Sequence, residues 1–184
     1  MIAVLDYGIG NLRSAEKALQ HVGAEARLVT EPSEAMAASG VVLPGVGAFG
    51  ACASALRRSG LDAAVHRAIA EGVPFLGICV GFQLMFESSE EDPQATGLGV
   101  WQGRVCALAA TERRPQMQWN VVHRRPSAES RLLTAESQWY YFVHSYAPVP
   151  AGEAASGVVG TCDYGGEVVA ALERGVVFGA QFHP

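Results

Sequence analysis

The chain has 184 residues, 49% of them hydrophobic and 17% charged, and a formal net charge of −5. That length suits one domain with a proper core. The acidic balance, with the basic pairs Arg57-Arg58, Arg113-Arg114 and Arg124-Arg125 short and scattered, argues against a nucleic-acid surface.

Ile2 to Leu5 is an apolar run ending at Asp6-Tyr7-Gly8, which reads as a buried first strand feeding a loop. Asn11 is placed to cap a helix running to about Val22, with Leu12, Ala15, Leu19 and Val22 on one face. Gly23 then stops it, and Ala26 to Val29 is a second short strand. Pro32 and Ser33 open a short helix that ends near Gly40. Val41-Val42-Leu43 is a third strand, closed by Pro44-Gly45-Val46-Gly47. Helical patterning returns over Ala51–Arg58 and Leu61–Ala70, with Gly72 as the stop. Val73-Pro74-Phe75-Leu76 leads a fourth strand into Gly77-Ile78-Cys79-Val80-Gly81, and Phe82-Gln83-Leu84-Met85-Phe86 follows as a helix. The alternation predicts a parallel sheet covered on both faces.

The second half changes character. After the acidic loop Glu87–Gly97, strands are expected over Val100–Leu108, Asn120–Val122, Tyr140–Tyr146, Gly157–Cys162, Val168–Leu172 and Val176–Phe182. Tyr164-Gly165-Gly166-Glu167 reads as a tight hairpin turn. The expected fold is therefore α/β, with a mostly parallel central sheet flanked by helices and additional antiparallel strands in the second half. No apolar run is long enough to cross a bilayer, and no basic region precedes the first one, as a signal peptide requires. Four cysteines without Cys-x-x-Cys or zinc-finger spacing point to free thiols, no metal and a reducing, cytoplasmic compartment.

Gly77-Ile78-Cys79-Val80-Gly81 is the most telling segment. A strand, a sharp turn and a helix hold the central residue in a strained conformation with its side chain presented at the strand's C-terminal end, the nucleophile-elbow arrangement with Cys in place of Ser. The helix N-terminus behind it favours a thiolate. A nucleophilic Cys needs a base, commonly His. Of the five histidines, His21 and His66 fall on surface helices and His123 among arginines in an expected loop. His144 and His183 lie at strand ends, which suits a fixed catalytic base; His183 leads, with His144 as the alternative. Pro184 forbids normal continuation of the last strand. Acyl transfer also needs oxyanion donors. The backbone N–H of Val80 is one, and the loop Gly45-Val46-Gly47 is placed to supply another.

These residues carry a resemblance. Gly-Ile-Cys-Val-Gly-Phe-Gln and Gln181-Phe182-His183-Pro184 resemble the nucleophile and histidine motifs of the class I, triad-type glutamine amidotransferases. Asp6-Tyr7-Gly8-Ile9-Gly10-Asn11-Leu12, Pro44–Gly50, Met117-Gln118-Trp119-Asn120 and Tyr141–Tyr146 look like the glutaminase subunits of imidazole glycerol phosphate synthase, and the likeness spans the whole chain. It implies a flavodoxin-like amidotransferase fold, 1–184 as one such domain, and no cofactor. It implies that Cys79 attacks glutamine with His183 as base. By matching positions, Val46 and Val80 would line the oxyanion hole. Gly45, Gly47, Gln83, Glu91 and the Ser145-Tyr146 backbone would hold glutamine. Asn11, Trp119 and Tyr141 would face a (β/α)8 cyclase subunit in a heterodimer, which would receive the ammonia.

Two departures stand out. The family motif continues His-Pro-Glu, whereas the chain given stops at Pro184, so the orienting acid and closing helix are absent and truncation is expected. Gln116 and Gln118 stand where the subfamily generally has His and Gly, which is expected to alter the interface or the coupling between subunits. The alternative readings are a glutaminase of another amidotransferase (anthranilate, carbamoyl-phosphate or pyridoxal-phosphate related) and a catalytically weak scaffold subunit. The Asp6–Asn11 segment argues against the first; only the missing acid supports the second.

Overall fold

The computed structural model describes residues 1–126 and 128–183. In chain order the elements are β1 (Ile2–Leu5), α1 (Leu12–His21), β2 (Ala26–Val29), α2 (Pro32–Met36), β3 (Gly40–Gly45), α3 (Phe49–Arg58), α4 (Leu61–Ala70), β4 (Phe75–Cys79) and α5 (Val80–Gln83). Then come β5 (Ser88–Ser89), β6 (Gly103–Ala107), β7 (Gln116–Arg124), β8 (Ser137–His144), β9 (Tyr146–Pro150), α6 (Glu153–Ser156), β10 (Val158–Asp163), β11 (Glu167–Arg174) and β12 (Val177–Ala180).

Nine strands form one sheet in the order β2-β1-β3-β4-β12-β11-β10-β7-β8. From β2 to β12 the neighbours run parallel, because helices carry the chain back between strands. From β12 to β8 they run antiparallel. Tyr164–Gly166 makes the expected turn between β10 and β11, with the Tyr164 N–H donating to the Gly166 carbonyl at 2.9 Å. A second sheet, β5-β6-β9, packs beside the first. β3 is buried along its whole length, as expected of a central parallel strand with helices on both faces.

Several expectations need correction. Asn11 occupies the N-cap position of α1, but its side chain makes no capping bond. The helix after Cys79 is a single turn. Its continuation is replaced by bonds to a returning segment: the carbonyls of Leu84, Met85 and Phe86 accept from the N–H groups of Leu98, Val100, Trp101 and Gly99. All of Phe82, Leu84, Met85 and Phe86 are buried, so no solvent-facing stripe requires a helix there. β7 is three times the expected length, and His123 lies within it rather than in a loop. The run from Tyr140 breaks at Ser145 into β8 and β9, which belong to different sheets. The role given to Pro184 lies outside the described residues.

Beneath the elbow, Phe82, Phe86 and Trp101 meet edge-on or tilted, with centroids 5.6–5.7 Å apart. Phe82 fills the space above Gly179 of β12. Under the antiparallel half, Phe182 stacks on Tyr140 at 3.9 Å and meets Phe142 edge-on. Phe182 is thereby anchored in the core, so its neighbours Gln181 and His183 point to the other side.

Candidate active site

Cys79 is the last residue of β4 and has φ 53° and ψ −113°. Among the described residues it is the sole non-glycine with positive φ. Such a conformation stores about 1–3 kcal/mol, so the surroundings must impose it. Gly81 supplies one condition: a Cβ there would collide with the Leu43 carbonyl oxygen on β3. Gly45 supplies another, since its Cβ would lie 2.6 Å from the Gly81 nitrogen. The elbow is thus pressed backbone to backbone onto β3.

Register brings the other groups to the same edge. Gly45 of β3 is level with Cys79, and Ala180 of β12 is level with Ile78. Gln181 therefore follows beside Cys79, with His183 two residues on. The His183 N–H donates to the Tyr141 carbonyl of β8 at 3.0 Å, which ties the residue after β12 to the outermost strand.

A cavity of about 260 Å³ opens at this edge and is lined by Val46, Gly47, Cys79, Val80, Gln83, Glu91, Pro115, Val143, His144, Ser145, Tyr146 and His183. Gly45 and Asn11 line a smaller cavity of about 40 Å³, with Val46 and His183 walling both. The Gly45–Gly47 loop is anchored from below by two residues to which sequence reasoning gave no role. Tyr7 donates its hydroxyl to the Pro44 carbonyl at 2.8 Å, and the Cys52 thiol donates to the Val46 carbonyl at 3.3 Å. Glu91 accepts from the Phe49 N–H at 2.8 Å at the start of α3. This bond fixes its carboxylate at the cavity rim.

Burial dominates the titration of the site. It pushes the Cys79 thiol up to about 12, against the opposing pull of the Val80 N–H and the Gln181 amide. It pushes His183 below its usual value and His144 down to about 4. Burial thus outweighs the helix N-terminus, which was expected to favour a thiolate at Cys79. The His183 Nε2 is buried and meets no hydrogen-bond partner among the described residues. His144 Nε2 is buried and unpartnered in the same way, and its Nδ1 lies 2.9 Å from the Tyr146 carbonyl, which fixes the proton on Nδ1. That same carbonyl accepts from Gln83 Nε2 at 2.8 Å, so both its lone pairs are used within the protein. The other carbonyl of the segment, on Ser145, accepts from the Leu108 N–H at 2.9 Å.

The β7–β8 hairpin extends from the cavity. Met117 pairs with Val143, Trp119 with Tyr141 and Val121 with Trp139 on one face. Trp119 is 63% exposed, and Met117 and Trp139 nearly as much. Trp119 and Tyr141 meet edge-on at 5.7 Å. Gln118 is exposed on this hairpin, whereas Gln116 is fully buried opposite His144, with neither amide atom partnered among the described residues.

Comparison with known proteins agrees with this geometry. Residues 3–184 match the family model of class-I glutamine amidotransferases. The imidazole glycerol phosphate synthase subunit HisH of Moorella thermoacetica is 46% identical, covering 100% of this chain and 86% of its own length. That of Salinibacter ruber is 44% identical, with 100% and 87% covered. A glutamine amidotransferase crystal structure superposes with a TM-score of 0.78 at 22% identity, covering 100% of this chain and 89% of that one. PurLQS from Thermotoga maritima gives 0.75 at 20%, covering 100% and 86%; these two likenesses speak to the fold alone. A family match along nearly every residue, with relatives this similar over the full chain, leaves one conclusion: the chain belongs to the class-I glutamine amidotransferase family, in the branch of the imidazole glycerol phosphate synthase HisH subunits.

Proposed function

We propose that this chain hydrolyses glutamine to glutamate and ammonia and passes the ammonia to a cyclase subunit that makes imidazole glycerol phosphate in histidine biosynthesis. The observation that carries the reading is the strained Cys79, set at a cavity that His183 also lines. Both His183 Nε2 and His144 Nε2 are buried and unpartnered among the described residues; His183 is taken as the base because it lies two residues beyond Gln181, whose amide touches the Cys79 sulfur, whereas burial holds His144 down to about 4.

The reaction follows from these groups. As the Cys79 sulfur attacks the side-chain amide carbon of glutamine, its proton passes to His183 Nε2. The carbonyl oxygen gains charge, which the N–H groups of Val80 and Val46 receive as oxyanion donors. His183 returns the proton to the leaving nitrogen, so ammonia departs and a γ-glutamyl thioester remains. Water, deprotonated by His183, adds to the thioester; collapse releases glutamate and the thiol. Glu91, the one carboxylate among the described lining residues, suits the substrate's ammonium group. Gln83, Gly45, Gly47 and the Ser145-Tyr146 backbone complete the cradle.

The reading takes 1–184 as one amidotransferase domain, working in the cytoplasm, where free thiols persist. No helix among the described residues is long and apolar enough to cross a membrane. The aromatic face of the β7–β8 hairpin and Asn11 are assigned to the cyclase partner; exposed Trp and Tyr side chains are the usual anchors of such contacts. Support for the partner comes from the HisH relatives, which are named as subunits of a synthase. The test is a glutamate-release assay on the natural full-length chain with its cyclase partner. Cys79→Ala abolishes glutamine-dependent turnover and leaves ammonia-driven turnover intact. Loss of both would show that Cys79 serves folding or assembly instead.

A further inference from the structure

Gln181 is fully buried and lies beside Cys79 at the end of β12. Its amide nitrogen sits 3.6 Å from the Cys79 sulfur. Which end of a glutamine amide faces a neighbour is settled by its other bonds, and here they form a directed chain. The Tyr146 carbonyl can only accept. Gln83 must therefore turn its nitrogen toward it, at 2.8 Å. The same nitrogen has a second hydrogen, which goes to the Gln181 oxygen at 3.1 Å. With its oxygen so engaged, Gln181 presents its NH₂ to the sulfur. His144 closes the far end, donating from Nδ1 to the same Tyr146 carbonyl.

We propose that Gln181 is the thiol-positioning residue of this site: it donates a hydrogen bond to the Cys79 sulfur, fixes the sulfur's direction and stabilises the thiolate formed on attack. The assignment rests on the reading of Cys79 as nucleophile and adds a second donor to the Val80 N–H. A donor to a developing anion is strengthened in a buried site. Burial opposes the thiolate strongly here, so each such donor counts. The surrounding titratable groups are Tyr7 after β1, Cys52 on α3, His183 after β12, His144 on β8 and Glu91 at the rim. None of them is a cationic residue at neutral pH, which leaves neutral donors to hold the charge.

The test is the rate of Cys79 alkylation by iodoacetamide at a fixed pH of about 8.5, well below the thiol's own value, read at that residue by peptide mass spectrometry in the full chain. No glutamine or partner is needed, so the result is independent of the proposed reaction. Gln181→Met keeps length and removes the donor. Fewer thiols are then ionised at that pH, and alkylation slows about three- to tenfold. Gln181→Glu keeps the shape and sets a carboxylate against the sulfur; alkylation slows at least as much. In glutamate release, both variants lose kcat with KM little changed. An unchanged alkylation rate in either folded variant overturns the proposal. A slowed rate in a chain that releases no glutamate sinks the glutaminase reading and leaves the hydrogen bond standing.

Discussion

The strain at Cys79 yields a prediction whose sign is opposite to common experience. Its φ of 53° and ψ of −113° fall where glycine alone is at ease. Cys79→Ala removes the sulfur and keeps Cβ, so the strain stays; Cys79→Gly removes both. At an ordinary position the step from Ala to Gly costs about 0.5–1 kcal/mol, because glycine loses more freedom on folding. Lost burial of the methyl group adds up to about 0.8 kcal/mol, though this side chain borders a cavity. Against this, the step releases strain in the upper part of the ~1–3 kcal/mol range. The difference leaves glycine ahead by about 1 kcal/mol, or about 2–4 °C in Tm for a chain of this size. Urea unfolding of the two variants, both without the nucleophile and with matched m-values, reads this directly. A midpoint for Cys79→Gly at or below that of Cys79→Ala would refute the claim that the elbow is held under strain.

Protonation of His144 gives a pH signature. Folding holds it down to about 4, whereas the unfolded chain binds that proton from about 6.5 downward. Unfolded molecules thus carry more protons between those values, and stability falls with pH across that window by roughly 3 kcal/mol from this group. His144→Asn, whose amide nitrogen reaches the Tyr146 carbonyl in place of Nδ1, flattens the slope in urea titrations from pH 6.5 to 4; an unchanged slope would disprove the assignment. Gly81→Ala drives a methyl into the Leu43 carbonyl and costs about 3 kcal/mol or more; an unfolding midpoint equal to that of the parent chain would contradict the tight elbow–β3 contact. Trp119→Ala, at an exposed site, leaves stability within about 0.5 kcal/mol but weakens calorimetric binding to the cyclase subunit by at least ~2 kcal/mol. Undiminished binding would remove the hairpin from the interface.

The sheet's parallel half was legible because its strands are short apolar runs punctuated by Gly and Pro, and β1, β2 and α4 fall on the expected residues. That Cys79 and His183 come to one edge of the sheet was legible from two motifs at strand ends, which the register of β4 and β12 brings side by side. What escaped reading had physical reasons. β7 carries Gln116, Gln118 and His123 and is largely exposed, so it lacks the apolar run that marks a strand. The buried run Phe82–Phe86 has no polar face to give its period, and the returning segment that ends its helix lies more than a turn away in sequence. Gln181 was visible in the histidine motif, but its role depends on which way an amide is turned. That follows only from a chain of bonds through residues 83 and 146.

The sheet order has a consequence for how the protein is made. β12 inserts between β4 and β11, yet it leaves the ribosome after every other strand described. Gln181 is translated 102 positions after the cysteine it touches. Until then one flank of β4 is a bare edge, open to mispairing with other nascent chains. Chaperone shielding through that interval matters more for this topology than for one in which a late strand joins at the rim, and the nucleophile's surroundings are completed only after every other described strand has been made.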